Sequence, residues 1–339
     1  MKVGHSLRRQ IILVKSFKAF QTHGDGTGQL ITRTLDDLPQ GDVTIKVHYS
    51  GVNFKDGMAT QADAKIVKDY PVIPGIDLAG EIVATTSDHY QIGDHVIVTS
   101  YELGVSHDGG YSEYARVPAD WVVPLPSGLT TREAMIIGTA GFTAALSIHK
   151  LEMDGLTPED KPVLVSGATG GVGSMAVDML KQRGYYVTAS TGKATEHDYL
   201  KTLGADEIIG RDDVTPDTLK PLQKERWAAA IDPTGGKPLA SILSATKRGG
   251  AVAASGLTAG SELPVTVIPF ILRGVKLIGI DSVYCPMDIR RTIWERTATD
   301  LKPAHLDDIA TEISLDQLQE ALKNILESSI KGRVLVKIS

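Results

Sequence analysis

Short apolar segments separated by turn residues fill the first third of the chain. LITRTL, VTIKVHYSGV, LAGEIVATT and DHVIVTSY alternate apolar and polar positions or are rich in Val, Ile and Thr, with Gly, Pro or Asp between them. Such segments are typical of β-strands with one buried face. The pattern from Phe17 to about Ile97 therefore predicts a small β-barrel or a pair of packed sheets.

After Thr130 the pattern changes to strand-like and helix-like segments in turn. TREAMIIGTAGFTAALSIHKL has the apolar spacing of a helix, and KPVLVSGA, GGVGSMAVDMLKQRG and YYVTAST predict a strand, a helix and a strand. The strand-like segments ADEIIG, WAAAID, GGAVAASG and VKLIGID follow, with helix-like segments among them. Strands that alternate with helices of about ten residues predict an α/β domain with a parallel, doubly wound sheet.

The C-terminal part carries one predicted helix, LDQLQEALKNILESS, and a closing strand, GRVLVKI, which we expect to return to the first domain. The chain is thus predicted to have four parts, which differ in their pattern of apolar residues. They are an N-terminal extension at residues 1–16, a β-rich domain at 17–131, an α/β domain at 132–298 and a C-terminal segment at 299–339.

Composition narrows the class of protein. The 339 residues suffice for two domains, and 42% apolar with 22% charged residues suits a soluble globular protein. The formal charge of −6 argues against a nucleic-acid partner, and no apolar run approaches the roughly 20 residues of a membrane span. The first 18 residues contain only IILV as an apolar core, too short for a signal peptide. The single Cys285 cannot form an internal disulfide, so we expect a cytoplasmic protein.

A glycine-rich loop lies between a predicted strand and a predicted helix. It consists of Gly167, Ala168, Thr169, Gly170, Gly171, Val172 and Gly173. This context is that of a dinucleotide fingerprint, because glycines let the backbone approach a pyrophosphate and the helix N-terminus offers free N–H groups. We predict that residues 169–173 contact the cofactor. The alternative is a tight turn that needs glycine for packing alone.

The end of the next predicted strand bears on which dinucleotide is bound. An NAD enzyme usually has Asp or Glu there, roughly 20 residues along, to bind the ribose hydroxyls. This chain has Ser190, Thr191 and Lys193 instead, and Arg211 follows the next strand. Small hydroxyls and cations suit a 2′-phosphate, so we predict NADPH. Each cation alone would also fit a solvated surface position.

Several motifs follow one another in the order seen in the medium-chain dehydrogenase/reductase superfamily. These are PGIDLAGEIV, GDHVIV, DGGYSEYARVP, GTAGFTAAL and SGATGGVGSMAVDML. A narrower set, VNFKDGMA, ADWVVPLP, ASTGK, DYLKTLGADEII, LIGIDSVYCP and KGRVLVKI, resembles the zinc-free YhdH/AcuI-type quinone oxidoreductases, also called acryloyl-CoA reductases. The resemblance runs from about Phe17 to Ser339.

The resemblance implies a GroES-like β-barrel catalytic domain plus a Rossmann domain, with the active site between them. It also implies a homodimer joined through the edge strand KLIGID. Metal-dependent relatives have a Cys ligand where this chain has Asn53, and a Gly-His-Glu stretch where it has Gly75, Ile76 and Asp77. We therefore expect no zinc. His107 is the one loop histidine considered as a ligand, and a surface histidine is its ordinary interpretation.

The resemblance also implies a catalytic role for three residues. Asn53 would orient the cofactor or substrate through its amide, Asp56 would fix the same loop, and Arg333 would lie near the cofactor. Asn53 and Asp56 would equally suit the cap of a helix FKDGMA, and Arg333 an exposed strand end. Phe54 replaces the Tyr of many subgroup members, so we predict no side-chain acid there and leave water as a proton source.

Other cofactor contacts are implied near the pyrophosphate and the nicotinamide. They are Thr143 at the pyrophosphate, Ser255 and Leu257 in the nicotinamide pocket, and Ile280 to Val283, including Ser282, at the carboxamide through backbone groups. Cys285 has no His or Lys beside it in sequence, so we interpret it as a packed or idle thiol.

Without zinc, alcohol dehydrogenation lacks its Lewis acid, whereas an activated C=C bond can accept hydride if donors stabilise the enolate that forms. We therefore predict an NADPH-dependent enoyl reductase, with acryloyl-CoA the best substrate candidate. A quinone oxidoreductase and a non-catalytic NADPH-binding protein are the alternatives. Lys55, Lys65 and Lys68 are candidate contacts for the phosphates of a CoA substrate, although a solvated loop would look the same.

Overall fold

The computed structural model describes residues 15–339. The predicted N-terminal extension at residues 1–16 lies almost wholly outside this range. The β-strands are β1 Phe17–Thr22, β2 Gly28–Arg33, β3 Val43–Val52, β4 Asp77–Thr85, β5 His95–Thr99, β6 Tyr114–Val117, β7 Val123–Pro124, β8 Val163–Val165, β9 Val187–Thr191, β10 Glu207–Gly210, β11 Trp227–Asp232, β12 Thr246–Ala254, β13 Lys276–Gly279, β14 Ala310–Ser314 and β15 Arg333–Lys337. The α-helices are α1 Phe54–Ala59, α2 Thr131–Met153, α3 Gly171–Gln182, α4 His197–Thr202, α5 Gly236–Ala245, α6 Ile268–Arg273, α7 Met287–Ala298, α8 Leu306–Ile309 and α9 Leu318–Leu326.

The strands of residues 163–279 form one sheet, the nucleotide sheet, which lies in the predicted Rossmann domain. It has six strands in the order β10-β9-β8-β11-β12-β13, and every neighbouring pair is parallel. The order changes direction between β8 and β11, so the loops after these strands open on the crevice where doubly wound sheets bind ligands. The central strands β8 and β11 are mostly apolar and buried, because helices cover both faces of such a sheet. The predicted parallel, doubly wound sheet is confirmed.

The second large sheet, the catalytic sheet, lies mainly in the predicted GroES-like domain. It has the order β14-β15-β3-β4-β5-β7, and β6 also pairs with β3. β3 makes antiparallel pairs with β4, β6 and β15, so it lies at the centre of this sheet. β1 and β2 form a separate antiparallel pair. The closing strand β15 returns to the N-terminal half as expected, with Val334 opposite Val52. The sequence pattern predicted β3, β4 and β5 but not β6, β14 or α7.

The helix α2 joins the two sheets. It packs against β3, β4 and β5 of the catalytic sheet. On its other side it packs against the helix α3 and against β11 and β12 of the nucleotide sheet. The predicted uninterrupted helix is wrong in one respect: Gly138 has φ 49° and ψ −160°, which breaks the helix there. Among the helices of the described chain, α2 alone has the length and apolar composition of a membrane span, and 83% of that apolar stretch is buried inside the protein.

Candidate active site

Asn53 and Asp56 lie at the start of α1, and their side chains have different contacts. Asp56 Oδ2 accepts a hydrogen bond of 2.7 Å from the Asn53 backbone N–H, and Oδ1 accepts one of 2.8 Å from the backbone N–H of Ile76. The Asn53 amide points elsewhere: Nδ2 donates to Asp77 Oδ2 at 2.8 Å, and Oδ1 accepts from Arg333 at 2.9 Å. The capping interpretation therefore fits Asp56 but not the Asn53 side chain.

Asp77, the first residue of β4, is fully buried and surrounded by donors. Besides the Asn53 amide, its Oδ2 accepts the Thr139 backbone N–H at 2.9 Å, and its Oδ1 accepts the Thr139 hydroxyl at 2.5 Å. Arg333 Nη2 lies 3.5 Å from Oδ2 as an ion pair. A buried carboxylate is tolerated when it is paired and hydrogen-bonded in this way. Asp77, known from the sequence only as a changed metal-ligand position, is thus the centre of the cluster.

Burial also changes the protonation of Asp56. Desolvation and the nearby charge of Asp77 raise the pKa of Asp56 to about 6, against the opposing effect of its two backbone donors. The Tyr111 ring is fully buried beside it, and burial together with the Asp56 charge holds the pKa of Tyr111 well above its usual value. The Tyr111 hydroxyl also donates to the Gly51 carbonyl at 3.1 Å. Asp56 therefore changes charge close to neutral pH.

Arg333 connects this cluster to the glycine-rich loop. Its Nη1 donates to the Val52 carbonyl at 2.8 Å and its Nε to the Ile136 carbonyl at 3.1 Å. A Cβ on Gly171, the first residue of α3, would lie 3.1 Å from the Arg333 Cδ. Only 3% of Arg333 is exposed, so the alternative of an exposed strand end does not describe it.

The glycine-rich loop is closely packed at one glycine and open at another. Gly173 is packed so closely that a Cβ would lie 2.4 Å from the Gly167 carbonyl oxygen. Gly170 faces open space, since its Cβ would meet only the Gly167 oxygen, at 3.4 Å. The first N–H groups of the twelve-residue helix α3 have no intrahelical acceptor and form its positive end. Thr169 and Val172 lie within the same loop, and the Thr169 carbonyl accepts from Gly332 N–H at 2.9 Å.

The predicted 2′-phosphate residues separate into two groups. Ser190 and Thr191 are buried at the end of β9, and the Ser190 hydroxyl donates to the Gly210 carbonyl at 3.4 Å. Arg211 covers Gly192, because a Cβ there would lie 2.8 Å from a guanidinium nitrogen. Lys193 turns the other way and donates to the Ser328 carbonyl at 2.9 Å. The structure brings Arg211, rather than the Lys193 ammonium, to the end of β9.

The remaining predicted contacts lie at the ends of β12 and β13 and in α2. Ser255 Oγ is buried and has no hydrogen-bond partner among residues 15–339, which fits a polar group of a bound ligand. Leu257 is 63% exposed beside it. The Ile280 N–H donates to the Ala254 carbonyl at 3.0 Å, and Ser282 is buried. The Thr143 hydroxyl donates within its own helix.

Two of the other sequence candidates, His107 and Cys285, have ordinary surroundings. The His107 Nδ1 donates to the Asp108 carbonyl at 2.9 Å, and the His107 ring meets Trp121 edge-on. No group of three His, Cys, Asp or Glu side chains at metal-binding distance occurs in the described residues. Cys285 is buried, and burial raises the pKa of its thiol.

Two of the lysines considered as contacts for a CoA substrate, Lys55 and Lys68, lie near the carboxyl group of Glu102. The Tyr284 hydroxyl donates to Glu102 at 2.5 Å, which lowers the pKa of that carboxyl, and the charges of Lys68 and Lys55 lower it further. Two of the three lysines are thus placed around Glu102, and Lys65 is exposed.

Sequence reasoning missed Thr139 and Ser100. The Ser100 and Thr139 hydroxyls are 3.2 Å apart, and Thr139 directly follows the break in α2. The glycine at Gly138, where a helix pattern would have no reason for one, was the available signal.

The comparisons with known proteins agree with this architecture. Residues 39–127 match the family described as alcohol dehydrogenase GroES-like domain, and residues 171–298 match the one described as zinc-binding dehydrogenase. Both confirm the predicted fold class.

Among curated proteins, the putative quinone oxidoreductase YhfP of Bacillus subtilis is 57% identical over 96% of this chain and 99% of its own. The acrylyl-CoA reductase AcuI of Ruegeria pomeroyi is 47% identical over 90% of this chain and 93% of its own. The crystal structure of yhfP with NAD bound has a TM-score of 0.93 and covers 96% of this chain and 100% of that one. The structure of the yhdH oxidoreductase from Salmonella enterica with NADP has 45% identity, a TM-score of 0.91 and coverage of 95% and 100%.

Proposed function

The chain belongs to the YhdH/AcuI-type quinone oxidoreductases of the medium-chain dehydrogenase/reductase superfamily, and from this premise we propose that it reduces an activated C=C bond with NADPH. The acceptor is an enone or an enoyl thioester, and acryloyl-CoA, reduced to propionyl-CoA, is the best candidate. The names of two relatives, which are 47% and 45% identical, support this substrate. The protein is an oxidoreductase, as its relatives are.

One observation carries the proposal. Arg333 contacts the Asn53 amide on one side and lies against Gly171 of the glycine-rich loop on the other. One side chain thus joins the predicted reaction centre to the predicted pyrophosphate site. A reductase needs this proximity, since cofactor and acceptor must be held together in one orientation.

The residues present fit a dinucleotide. The open face at Gly170 leaves room for a pyrophosphate, the N-terminus of α3 offers donors to it, and the unpartnered Ser255 Oγ would serve the nicotinamide end. NADPH, when bound, supplies the hydride that adds to the carbon β to the carbonyl. Thr143, Leu257, Ile280 and Ser282 are the other proposed contacts on this side.

The residues of the cluster act by position and charge. The Asn53 amide, fixed by Asp77 and Arg333, orients the nicotinamide or the acceptor carbonyl. Asp56 fixes the same turn through its two backbone bonds. The 41% exposed Phe54 carries no acidic proton, so water protonates the enolate. We propose zinc-free chemistry because the Arg333 guanidinium already pairs with Asp77, where a metal site would need a free carboxylate.

We propose that Arg211, Ser190 and Thr191 receive the 2′-phosphate. Arg211 lies across Gly192 at the end of β9, and no carboxylate stands at this strand end. Lys193 contributes less, because its ammonium is bonded to the Ser328 and Ile330 carbonyls. The relative YhfP was crystallised with NAD and yhdH with NADP, so NADH belongs in any assay.

A cytoplasmic homodimer through β13 is the proposed assembly. β13 is the last strand of the nucleotide sheet and pairs with β12 alone among the described strands. The neighbouring surface is unusually apolar, with Ile271 71%, Leu272 54% and Leu277 39% exposed. An open strand edge beside exposed apolar side chains suits pairing with a second copy of the chain.

The test is NADPH oxidation with acryloyl-CoA, run beside NADH and beside phenanthrenequinone. Fast turnover with acryloyl-CoA and formation of propionyl-CoA, unaffected by radical scavengers, is expected. Quinone turnover alone would favour the second candidate, an NADPH:quinone oxidoreductase, which the name of YhfP supports. NADPH binding without turnover of any acceptor would leave a non-catalytic binding protein.

A further inference from the structure

Arg290 is a fully buried arginine in α7 that forms no salt bridge with an acidic residue among residues 15–339. Buried guanidinium groups normally face a carboxylate, because desolvation of an unpaired charge is unfavourable. Here the acceptors are backbone carbonyls and a hydroxyl instead. An apolar side chain would fill the same space without that cost, so packing alone does not account for an arginine at this position.

The guanidinium bonds to the catalytic sheet and to the loop after β13 at the same time. Its Nη1 donates to the Thr99 carbonyl at 3.2 Å and to the Thr99 hydroxyl at 2.9 Å, at the end of β5 in the catalytic sheet. Its Nη2 donates to the Ser282 and Val283 carbonyls, each at 3.0 Å, in the loop after β13. One planar group with fixed donor directions therefore sets the distance between this loop and the catalytic sheet.

Aromatic rings fix the guanidinium further. Its central carbon lies 4.5 Å from the centre of the Tyr101 ring and 5.0 Å from that of Phe142. Tyr101 and Ser100 both have positive φ, 52° and 66°, a conformation that non-glycine residues adopt only when their surroundings impose it. The Tyr101 N–H also donates to the Val283 carbonyl at 3.4 Å. The strained turn and the arginine hold the same loop.

We propose that Arg290 is a positioning residue for the nicotinamide end of the cofactor. The loop that it holds contains Ser282 and follows Ile280, two of the proposed nicotinamide contacts. By tying this loop to Thr99, Arg290 fixes the nicotinamide relative to the acceptor on the catalytic sheet. This inference rests on the proposed NADPH-dependent reduction.

The test compares two ligands that differ only at the nicotinamide end. The affinity of Arg290→Lys and Arg290→Met for NADPH is measured beside their affinity for 2′-phospho-ADP-ribose, which lacks the nicotinamide. We expect NADPH to bind about tenfold or more weakly, with kcat lowered, while the fragment stays within about twofold. A lysine can still donate to some of these carbonyls, so Arg290→Lys is expected to fold. Its single nitrogen cannot bond both Thr99 and the loop after β13, so it is not expected to restore the affinity for NADPH.

Arg291→Met is the matched control, since Arg291 is the exposed neighbour in the same helix and is expected to leave both affinities unchanged. If Arg290→Met does not fold, the affinities of Arg290→Lys for NADPH and for the fragment decide whether the positioning role holds. Equal weakening of both ligands, or wild-type NADPH affinity and kcat in Arg290→Lys, would overturn the positioning role. Failure of the wild-type protein to bind NADPH would instead refute the proposed function.

Discussion

The Arg333 guanidinium donates a hydrogen bond of 2.9 Å to the Asn53 amide oxygen, although the two residues are 280 positions apart. The same side chain bonds the Val52 and Ile136 carbonyls and pairs with the buried Asp77. Arg333, the first residue of β15, is therefore the cation of a cluster whose other members lie on or beside β3, α1, α2 and β4. The cluster depends on this one residue for its charge balance.

Replacement of Arg333 by Met should cost stability and activity together. The change leaves Asp77 buried without its cation, and breaking a buried pair costs about 3–5 kcal/mol. Urea unfolding of the variant measures this directly. Arg132→Met is the control, because its partners Asp307 and Glu312 are 85% and 36% exposed and exposed pairs contribute about 0–1 kcal/mol each. Equal losses in both variants would contradict the central role of Arg333.

Two glycines of the same loop should respond oppositely to alanine. In Gly173→Ala the new Cβ meets the Gly167 oxygen, so overpacking should cost about 1–3 kcal/mol of stability. Gly170 has φ −83° and open space, so Gly170→Ala should fold with unchanged or slightly higher stability. Its methyl group would occupy the proposed pyrophosphate position and is expected to weaken NADPH binding by about tenfold or more. Thermal unfolding and NADPH titration separate the two effects, and full NADPH affinity in Gly170→Ala would argue against this loop as the phosphate site.

Arg211→Gln should reduce the preference for NADPH over NADH. Loss of a charge-assisted hydrogen bond to the proposed 2′-phosphate costs about 1.5–3 kcal/mol, which is roughly 10- to 150-fold in affinity. NADH lacks that phosphate and should bind as before. Dissociation constants for both cofactors give the ratio. Lys193→Gln is expected to change the ratio less, and the reverse ranking would assign the phosphate to Lys193.

The stability of the protein should depend on pH through Asp56. Its pKa is about 6 in the folded protein against 3.8 ordinarily, so the folded state holds the proton more tightly. Stability from this group is complete below pH 3.8 and is lost as pH rises to about 6, by up to about 3 kcal/mol. Asp56→Asn removes this dependence. Unfolding free energies of both proteins across that range provide the measurement, and parallel pH curves would show that Asp56 does not titrate there.

Phe54→Tyr should raise kcat with an enoyl substrate. Phe54 is 41% exposed at the first position of α1, so a hydroxyl fits without repacking and stability should change by less than about 0.5 kcal/mol. A donor to the acceptor carbonyl contributes up to about 1.4 kcal/mol, or about tenfold in rate. Single-turnover rates test it, with Phe54→Leu as the variant that should show no gain. An unchanged rate in Phe54→Tyr would place the acceptor carbonyl elsewhere.

The elements with regular patterns could be predicted from sequence. β3 and α3 were predicted within two residues at each end, because alternation and the glycine-rich loop define them. The helix α7 was missed for a physical reason. Its sequence MDIRRTIWERTA shows no apolar stripe, and one of its buried residues is the charged Arg290. A pattern method assigns that residue to the surface.

The members of the cluster were named from sequence, but their contacts were not. Asn53 and Arg333 carry no local signal of meeting each other, since the contact depends on β15 pairing with β3. Lys193 shows a second limit of sequence-based prediction, because its position in the chain did not reveal where its side chain points. Its place in the chain suits a phosphate, but four flexible methylenes let the ammonium reach the Ser328 carbonyl instead.

The pairing of β15 with β3 also has a consequence for the order of folding during synthesis. The nucleotide sheet uses residues 163–279 only, so it can form while the ribosome is still adding the C-terminal segment. The catalytic sheet waits for Arg333, 281 positions beyond Val52, because Asp77 cannot be buried before its cation arrives. The emerging chain thus forms the proposed cofactor platform early, and the proposed reaction centre is completed only after Arg333 has been added.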